Sequence, residues 1–532
     1  MARTALVRPA AIRSTPWQVR AGWLLRAHRL RHADPALRRL PGFARVYAEG
    51  HRGTGGISPS SLSRWENGLV PVTPGCVRRY EDVLGLAAHS LLAPIQTIAR
   101  HEGGSAAAAF LCGGGGPTPL SGSDIRIDPL LDRVLDNGML TGDDWDELTR
   151  WAAYGSGHLS PRRIRHAVVH RLLEETVVAD GTSWMRRFES LGRLLADPLW
   201  APEAIAVCAA VAQEPEHAGL VEAVCALDGS SHPDAGRAVL RQLTDPTTAD
   251  SQYGALLAAA RKTRKHHFTA EQTRTLVEVV EGVLCGSPEH AHVEAAAALL
   301  HRLPLSTAHT TGLITAAADH SAAVQAIVVH GSLTDPASAS ITVARVLAKL
   351  SHDNEPTAST VLRDILDDLL HHPVADVRLY AALLLRASPY GHEVAAALAA
   401  ELRQPGALHA KDRAVPLLHA LRALGDSDQR AVVADLTLAR GVPQEVVQAA
   451  VHALGHIGGH SAESYWRAVF NQHTRSAPQH QVVKRLVYGF AMAGELDLLT
   501  RLVDELTQVA PAQRLSSWWT HLAPHIRESA RH

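Results

Sequence analysis

Apolar residues recur at steps of three and four positions along most of this chain, the spacing that places them on one face of an α-helix. The segment WQVRAGWLLRAHRLRH, which begins at Trp17, shows the pattern well: arginines occupy its other faces. Its apolar positions are Val19, Trp23, Leu24, Ala27 and Leu30. Much of the apolar content of the chain is Ala, Leu and Val, which suit closely packed helices better than a β-sandwich. The pattern predicts an all-α fold.

The C-terminal part of the chain repeats one design, in which a break is followed by Val, a polar residue and an Ala/Leu stripe. The repeats begin at Ser287, His372, His409, Val442 and Ala477, and the last four starts lie 37, 33 and 35 residues apart. That spacing fits one helical pair per repeat. The repeats resemble the HEAT-like family, most clearly where Asp376, Val377 and Arg378 match its motif. The resemblance implies a right-handed α-solenoid; stacked helices of the tetratricopeptide kind are the alternative.

Between these regions lies HEGGSAAAAFLCGGGGPTPLSGS, residues 101–123, which is dense in Gly, Ser, Ala and Pro. Such a composition is typical of a flexible linker. The chain has 532 residues, which is too long for one compact core. We therefore expect a helical domain at 13–100, a linker at 101–123 and the solenoid at 124–532.

Charge is distributed unevenly along the chain, although the net charge is only −1. Residues 1–100 contain fifteen arginines, no lysine and five acidic residues, whereas the remainder is acidic overall. A basic region attached to an acidic one is expected when only the basic part meets a polyanion.

A motif within the basic region suggests which polyanion. Ser58-Pro59 pairs a helix N-cap with proline at the first helical position, and it opens SPSSLSRWENG, which VRRYEDVLGL follows. The two segments resemble the third helix, turn and fourth helix of the Cro/repressor-type (XRE) helix-turn-helix domain. The resemblance implies that Leu62 and Trp65 face the core and that Gly68 provides a left-handed C-cap. It also implies that the first of these helices is a recognition helix for the major groove of DNA.

The same resemblance assigns candidate DNA contacts. Ser60, Ser61 and Arg64 fall where the family reads base edges, and a guanidinium such as that of Arg64 can pair with guanine O6 and N7. The candidate phosphate contacts are Ser58, Asn67, Arg45, Arg52, Arg78 and Arg79.

The chain departs from the family between His32 and Ser58, where it is longer and lacks the Gln that usually opens the second helix. The stretch GHRGTGG in this region is interpreted as an insertion before the recognition helix. It would either add a contact to DNA through His51 or Arg52 or serve only as a loop.

Little chemistry is indicated elsewhere in the sequence. No metalloprotease, P-loop or nucleophile-elbow motif occurs, so we expect no catalytic residue, metal or cofactor. His452, His456 and His460 have the spacing of one helical face, but we interpret it as chance because no carboxylate or Cys completes a ligand set. The five scattered cysteines are expected to be small buried residues in a reducing compartment. Tryptophans of the C-terminal part are interpreted mainly as core residues.

These observations predict a bacterial transcriptional regulator that is soluble and cytoplasmic, since no apolar run of membrane-spanning length occurs. It would bind a double-stranded DNA operator, and its solenoid would dimerise or receive a small-molecule or protein ligand. The alternatives are a protein–protein scaffold and, because the C-terminal part is acidic, less readily an enzyme that grips DNA with HEAT-like repeats.

Overall fold

The computed structural model describes residues 15–49, 57–112, 124–154, 161–303, 320–350, 356–475 and 480–505. Residues 216, 218, 288, 289 and 405 within these ranges are excepted, and residues 305 and 312 outside them are described in addition. It is all-helical, with 76% helix, 28 α-helices and no strand in these residues. The prediction of an all-α fold is therefore confirmed.

Three groups of helices make up the fold, and we call them the head, the first half and the second half. The head contains α1 (Trp17–Leu30), α2 (Pro35–Arg38), α3 (Leu40–Glu49), α4 (Pro59–Glu66), α5 (Pro74–Leu84), α6 (Leu92–Glu102) and α7 (Gly104–Leu111). The first half contains α8 (Asp124–Leu135), α9 (Gly142–Tyr154), α10 (Arg162–Val177), α11 (Gly181–Ala196), α12 (Ala201–Val211), α13 (Leu220–Ala226), α14 (Pro233–Thr244), α15 (Ala249–Arg264), α16 (Ala270–Gly286), α17 (His290–Leu300) and α18 (Ala322–His330). The second half contains α19 (Pro336–Leu347), α20 (Pro356–His371), α21 (Ala375–Arg386), α22 (Gly391–Leu402), α23 (Lys411–Leu424), α24 (Ser427–Thr437), α25 (Gln444–Leu454), α26 (Glu463–Arg475), α27 (His480–Met492) and α28 (Leu496–Glu505).

Many of these helices begin where the sequence supplies a capping side chain. Asp34, Ser58 and Thr73 each accept a hydrogen bond from a backbone N–H of the first turn, and each precedes a proline. In the first half, Thr248 and Thr269 form reciprocal capping boxes with the side chains three residues further on. Local sequence therefore defines many helix starts before any packing is considered.

The two halves are built as stacked helical pairs. In the first half, α9, α11, α13, α15 and α17 stack as one layer and α10, α12, α14 and α16 as another. In the second half, α21, α23, α25 and α27 stack in the same way. These four helices, together with α17, are the helices of the five predicted repeats. Each helix contacts the next but one along the chain, which fits a helical solenoid.

The layer of the first half that contains α15 faces the layer of the second half that contains α21. The two halves are therefore packed together and not separated by an open groove. Arg261 Nε lies 3.4 Å from Asp376 Oδ2, and His290 Nε2 lies 3.6 Å from Asp412 Oδ1. A cavity between α15, α17 and α21 has a volume of only about 10 Å³, which is the size of one water molecule.

The head packs against both halves. Helix α1 is buried on nearly every side, and Trp23 stacks on Tyr390 of the second half with ring centroids 6.0 Å apart. Helix α6 contacts α11 and α21, and Arg100 Nε donates to Glu189 Oε2 at 2.6 Å. The apolar residues of the head belong to one continuous cluster with those of the second half.

The prediction of a flexible linker at 101–123 is wrong for residues 101–112. Residue 101 lies in α6, and α7 covers 104–111. The alanine run buries Ala107 and Phe110, and the Phe110 ring packs 5.1 Å from Trp17. Ala favours helix, and a single aromatic anchor here outweighs the flanking glycines. The rest of that stretch lies outside the described residues.

The interpretation of tryptophans as core residues is confirmed for Trp145, Trp200 and Trp466, each at most 1% exposed. The expectation of buried cysteines holds for Cys208 and Cys225 but is wrong for Cys112 and Cys285, which are exposed thiols at helix ends. Among the described residues, no helix combines the length and the apolar character needed to cross a membrane.

Candidate nucleic-acid interface on helix α4

The N-terminal end of α4 is exposed and rich in hydroxyl groups. Ser58 Oγ accepts the backbone N–H of Ser61 at 3.1 Å, which caps the helix. The hydroxyls of Ser60 and Ser61 lie 2.8 and 2.9 Å from the same oxygen. This end of α4 therefore offers three hydroxyl groups beside the positive end of a helix dipole.

The other end of α4 stops in a left-handed residue, as expected. Gly68 has φ of 66°, and the N–H of Leu69 donates to the carbonyl of Arg64 at 2.9 Å. These features define a glycine C-cap of the Schellman type. A side chain at Gly68 would also collide with the backbone of Val19, so this glycine is required both by its conformation and by its contact with α1.

Helix α4 is held against the core of the head by a close helix crossing. Leu62 is fully buried and Trp65 packs against the same cluster, as the family resemblance predicted. Gly22 of α1 makes the crossing possible, because a Cβ there would lie 2.4 Å from the carbonyl oxygen of Trp65. The backbones of α1 and α4 thus approach more closely than any side chain at Gly22 would allow.

A buried ion pair fixes the orientation of α4. Arg29 Nε and Nη2 donate to the two carboxylate oxygens of Glu66 at 2.6 and 2.7 Å, and Tyr80 Oη donates to the same carboxylate at 3.2 Å. The same guanidinium also donates to the carbonyl of Arg38. A bidentate pair of this kind sets direction as well as distance. It links α1, α4 and α5 into one unit.

The three candidate base-reading residues lie on the outer side of this unit. Ser60 and Arg64 are exposed, and Ser61 is half-buried. The side chain of Arg64 makes no hydrogen bond or ion pair within the described residues, so its guanidinium is available. The packing contacts of α4 are made chiefly with α1 and α3, whereas the two halves lie behind α1 and α6.

The candidate phosphate contacts divide into three groups. Ser58, Arg45 and Arg78 are exposed. Asn67 and Arg79 are half-buried and bonded within the head: Arg26 Nη1 donates to Asn67 Oδ1 at 3.0 Å. Arg79 donates to the carbonyls of Tyr47 and Val46 at 3.1 and 2.9 Å, closing the end of α3. Arg52 lies outside the described residues, as does the predicted glycine-rich insertion from residue 50 to 56.

Part of the positive charge counted in the head is neutralised by carboxylates of the head and of the two halves. Arg20 is buried and paired with Asp368, and Arg31 Nη1 lies 2.8 Å from Glu393 Oε1. Arg29 and Arg100 are paired as described above. Sequence reasoning placed the arginines of α1 on the faces that its apolar residues do not occupy, but α1 is the central helix of the head and most of its faces are covered. A helix flanked on all sides is not distinguishable from an amphipathic one by spacing alone.

The histidines at and after the end of α25 have a structural role. His456 Nδ1 lies 3.1 Å from Asp180 Oδ2 and its Nε2 lies 2.9 Å from Tyr488 Oη, while Arg422 donates to His452 Nε2 at 3.2 Å. The contact between His456 and Asp180 joins the two halves. Burial would raise the pKa of Asp180, but the charges of His456 and Arg386, together with the hydrogen bonds from His456 and the Gly181 N–H, lower it. His460 is exposed and apart from them.

Comparison with known proteins adds little to this picture. No protein-family model matches the chain, and no curated protein matches it. Among solved structures, the crystal structure of an engineered protein is similar over 75% of this chain and 98% of its own, at 13% identity and a TM-score of 0.20. A likeness of that degree carries no argument about fold or function.

Proposed function

We propose that the chain is a sequence-specific DNA-binding transcriptional regulator of the Cro/repressor helix-turn-helix type. Helix α4 would enter the major groove, Arg64 would pair with guanine, and Ser60 and Ser61 would meet neighbouring base edges. Ser58, Arg45 and Arg78 would contact phosphates on either side.

One observation supports this proposal above the others: the N-terminal turn of α4 and Arg64 are exposed on the side of the head that does not dock on the halves. The glycine C-cap and the fixed carboxylate of Glu66 hold that turn in one orientation. A recognition element needs such support, because base readout depends on placing donors within a few tenths of an ångström.

The repeats would act as the dimerisation or signal-receiving part, and their pairs would be of the HEAT-like kind. Helix α6, the last long helix of the head, is covered by α11 and α21. Its surface is therefore not available for pairing two heads, which favours dimerisation through the halves. Two bound half-sites would multiply the modest affinity of one head.

The decisive experiment begins with selection of duplexes from a random pool by the full chain. Affinity for the selected duplex is then measured by fluorescence anisotropy for wild type, Arg64→Ala and Ser61→Ala, with Arg403→Ala as a matched control on an exposed site in the second half. Loss of a bidentate contact to guanine should weaken binding by roughly 5- to 150-fold and relax the preference at one base pair. Equal affinities for all four proteins at moderate salt would remove α4 as the recognition helix.

A protein adaptor is the second candidate, and one observation favours it. Leu69 and Val70, which follow α4 directly, are 74% and 38% exposed. Exposed large apolar residues beside a polar helix end are common at protein contacts. If the selection enriches no duplex sequence, the adaptor becomes the better conclusion.

A further inference from the structure

A cluster of arginine, lysine and histidine side chains lies where the head meets both halves. It comprises the ends of three helices, namely α6 with His101, α15 with Arg261, Arg264 and Lys265, and α17 with Arg302. The His101 ring packs against Tyr380 of α21 with centroids 4.8 Å apart, and Arg261 Nη1 donates to Tyr380 Oη at 3.4 Å. The cluster therefore joins the head to α15, α17 and α21.

Some of these cations are compensated by acidic side chains. Arg261 lies 3.4 Å from Asp376 Oδ2 and 3.7 Å from Asp228 Oδ1, and Lys265 donates to Asp228. The positive charges of these residues lower the pKa of Asp228 to about 2 in spite of burial, which acts in the opposite direction.

Arg264 and Arg302 have no such close partner: Glu102 and Asp228 act on Arg264, and Asp376 acts on Arg302, only from beyond ion-pairing distance. Within the described residues, neither has a carboxylate within ion-pairing distance; Arg302 donates only to the carbonyl of Ala260 at 3.4 Å. Nε and Nη2 of Arg264 are enclosed and make no hydrogen bond. Leaving buried guanidinium nitrogens without a partner costs free energy, so their retention calls for an explanation.

His101 shares this environment. Its side chain is 7% exposed, and neither ring nitrogen has a hydrogen-bond partner among the described residues. Burial and then the charges of Arg264, Arg261 and Arg302 hold its pKa well below the usual value, so the ring is neutral at pH 7. A neutral imidazole still offers one N–H donor toward an anion.

We propose that Arg264, Arg302 and His101 form a binding site for a phosphoryl oxyanion, carried by free phosphate or by a nucleoside phosphate. The group has several acceptor oxygens and two negative charges, which match guanidinium donors that lack acceptors. Arg264 and Arg302 are only half-buried as whole residues, so the site lies near the surface. Bound there, the anion ties α6 of the head to α15 and α17. This site does not depend on DNA binding.

The test uses the full chain and isothermal titration with sodium phosphate, AMP and ATP at constant ionic strength. Saturable binding near one site per chain is expected for wild type, with a rise in Tm of roughly 2 °C or more at a hundredfold excess over Kd. Arg264→Met should lose about 10- to 100-fold in affinity, because a hydrogen bond to a charged group is removed. Arg274→Met, an exposed arginine on the neighbouring α16, is the matched control and should bind as wild type does.

The titrations with phosphate, AMP and ATP distinguish between the two sources of the phosphoryl group. Saturation by phosphate alone identifies the free anion, and saturation only by AMP or ATP identifies a nucleoside phosphate; either supports the site. If Arg264→Met fails to fold, Arg302→Met carries the same comparison. No saturable binding by wild type, or equal binding by wild type and both variants, would overturn the assignment.

Discussion

Two sets of arginines in the head meet different surroundings. Arg20, Arg29, Arg31 and Arg100, which we call the paired arginines, each lie against a carboxylate. Arg39, Arg45, Arg64 and Arg78, the outer arginines, are exposed and make no ion pair within the described residues. The paired set holds the head together and docks it on the halves. The outer set is what remains for a polyanion. Net charge in a sequence does not separate these roles, because it counts both alike.

The largest difference in stability between variants of the paired arginines and variants of the outer arginines should appear when Arg29 is replaced. Arg29→Met leaves Glu66 buried without its cation, which should lower the free energy of unfolding by about 3–5 kcal/mol in urea denaturation. Arg39→Met is the matched outer variant and should change it by less than about 0.5 kcal/mol.

A double variant sharpens this result. Arg29→Met with Glu66→Gln should recover part of the loss, because the uncompensated charge is removed as well. Equal stability of Arg29→Met and Arg39→Met would mean that the pair is not a structural element.

The docking pair Arg20–Asp368 should give the next largest effect. In a double-mutant cycle with Arg20→Met and Asp368→Asn, we expect a coupling free energy of about 1–3 kcal/mol, since both side chains are buried at their contact. Urea denaturation of the four proteins measures it. The same cycle between Arg39→Met and Asp368→Asn provides the control, and a coupling near zero for Arg20 would show that the head docks through apolar contacts alone.

The stability of the contact between the head and the second half should also depend on pH. His28 Nε2 donates to the carbonyl of Ala387 at 2.6 Å, and burial lowers the pKa of His28 below its ordinary value. In the unfolded chain this group takes up a proton as pH falls through about 6.5, whereas in the folded protein it resists protonation. Its contribution to stability is therefore present above that pH and is lost as pH falls.

Comparison of wild type with His28→Gln isolates this group from the other buried histidines. Between pH 7 and pH 5, the free energy of unfolding should fall more steeply for wild type than for the variant. Parallel pH profiles would show that His28 is not held neutral by the fold.

Much of the helical architecture could be predicted from the sequence, because it depends on local patterns. The five repeat segments and the glycine cap at Gly68 are examples, since a stripe of Ala and Leu or a left-handed residue carries its own signal. The helix over 104–111 was missed because glycines flank a short alanine run whose only anchor, Phe110, is buried by the distant Trp17.

The surroundings of the candidate site were harder to predict, because they depend on contacts between residues far apart in the chain. The partner of Arg20 is 348 residues away, and that of Arg31 is 362 residues away. The close approach of Gly22 to α4 and the cation cluster around His101 are equally remote in sequence. Spacing within one helix contains no information about them. The exposure of the polar residues of α4 was easier to predict, because the motif that indicates it lies within one short segment of the chain.

The smallest expected effect on stability and on salt dependence distinguishes two arginines that the sequence analysis had both assigned as phosphate contacts. Arg45 is an outer arginine, whereas Arg79 is bonded to the carbonyls at the end of α3. Arg45→Met should leave stability within about 0.5 kcal/mol of wild type and reduce the slope of log K against log salt by about 0.9, the effect of one phosphate contact. Arg79→Met should instead cost about 1 kcal/mol of stability and leave the slope unchanged, because its guanidinium already has acceptors. Anisotropy titrations with the selected duplex from about 50 to 200 mM salt measure the slopes. If the slope falls for Arg79→Met and not for Arg45→Met, the DNA backbone lies against α5 and not along α3. In that case, whether an arginine is paired or exposed in the free protein does not decide whether it contacts a phosphate.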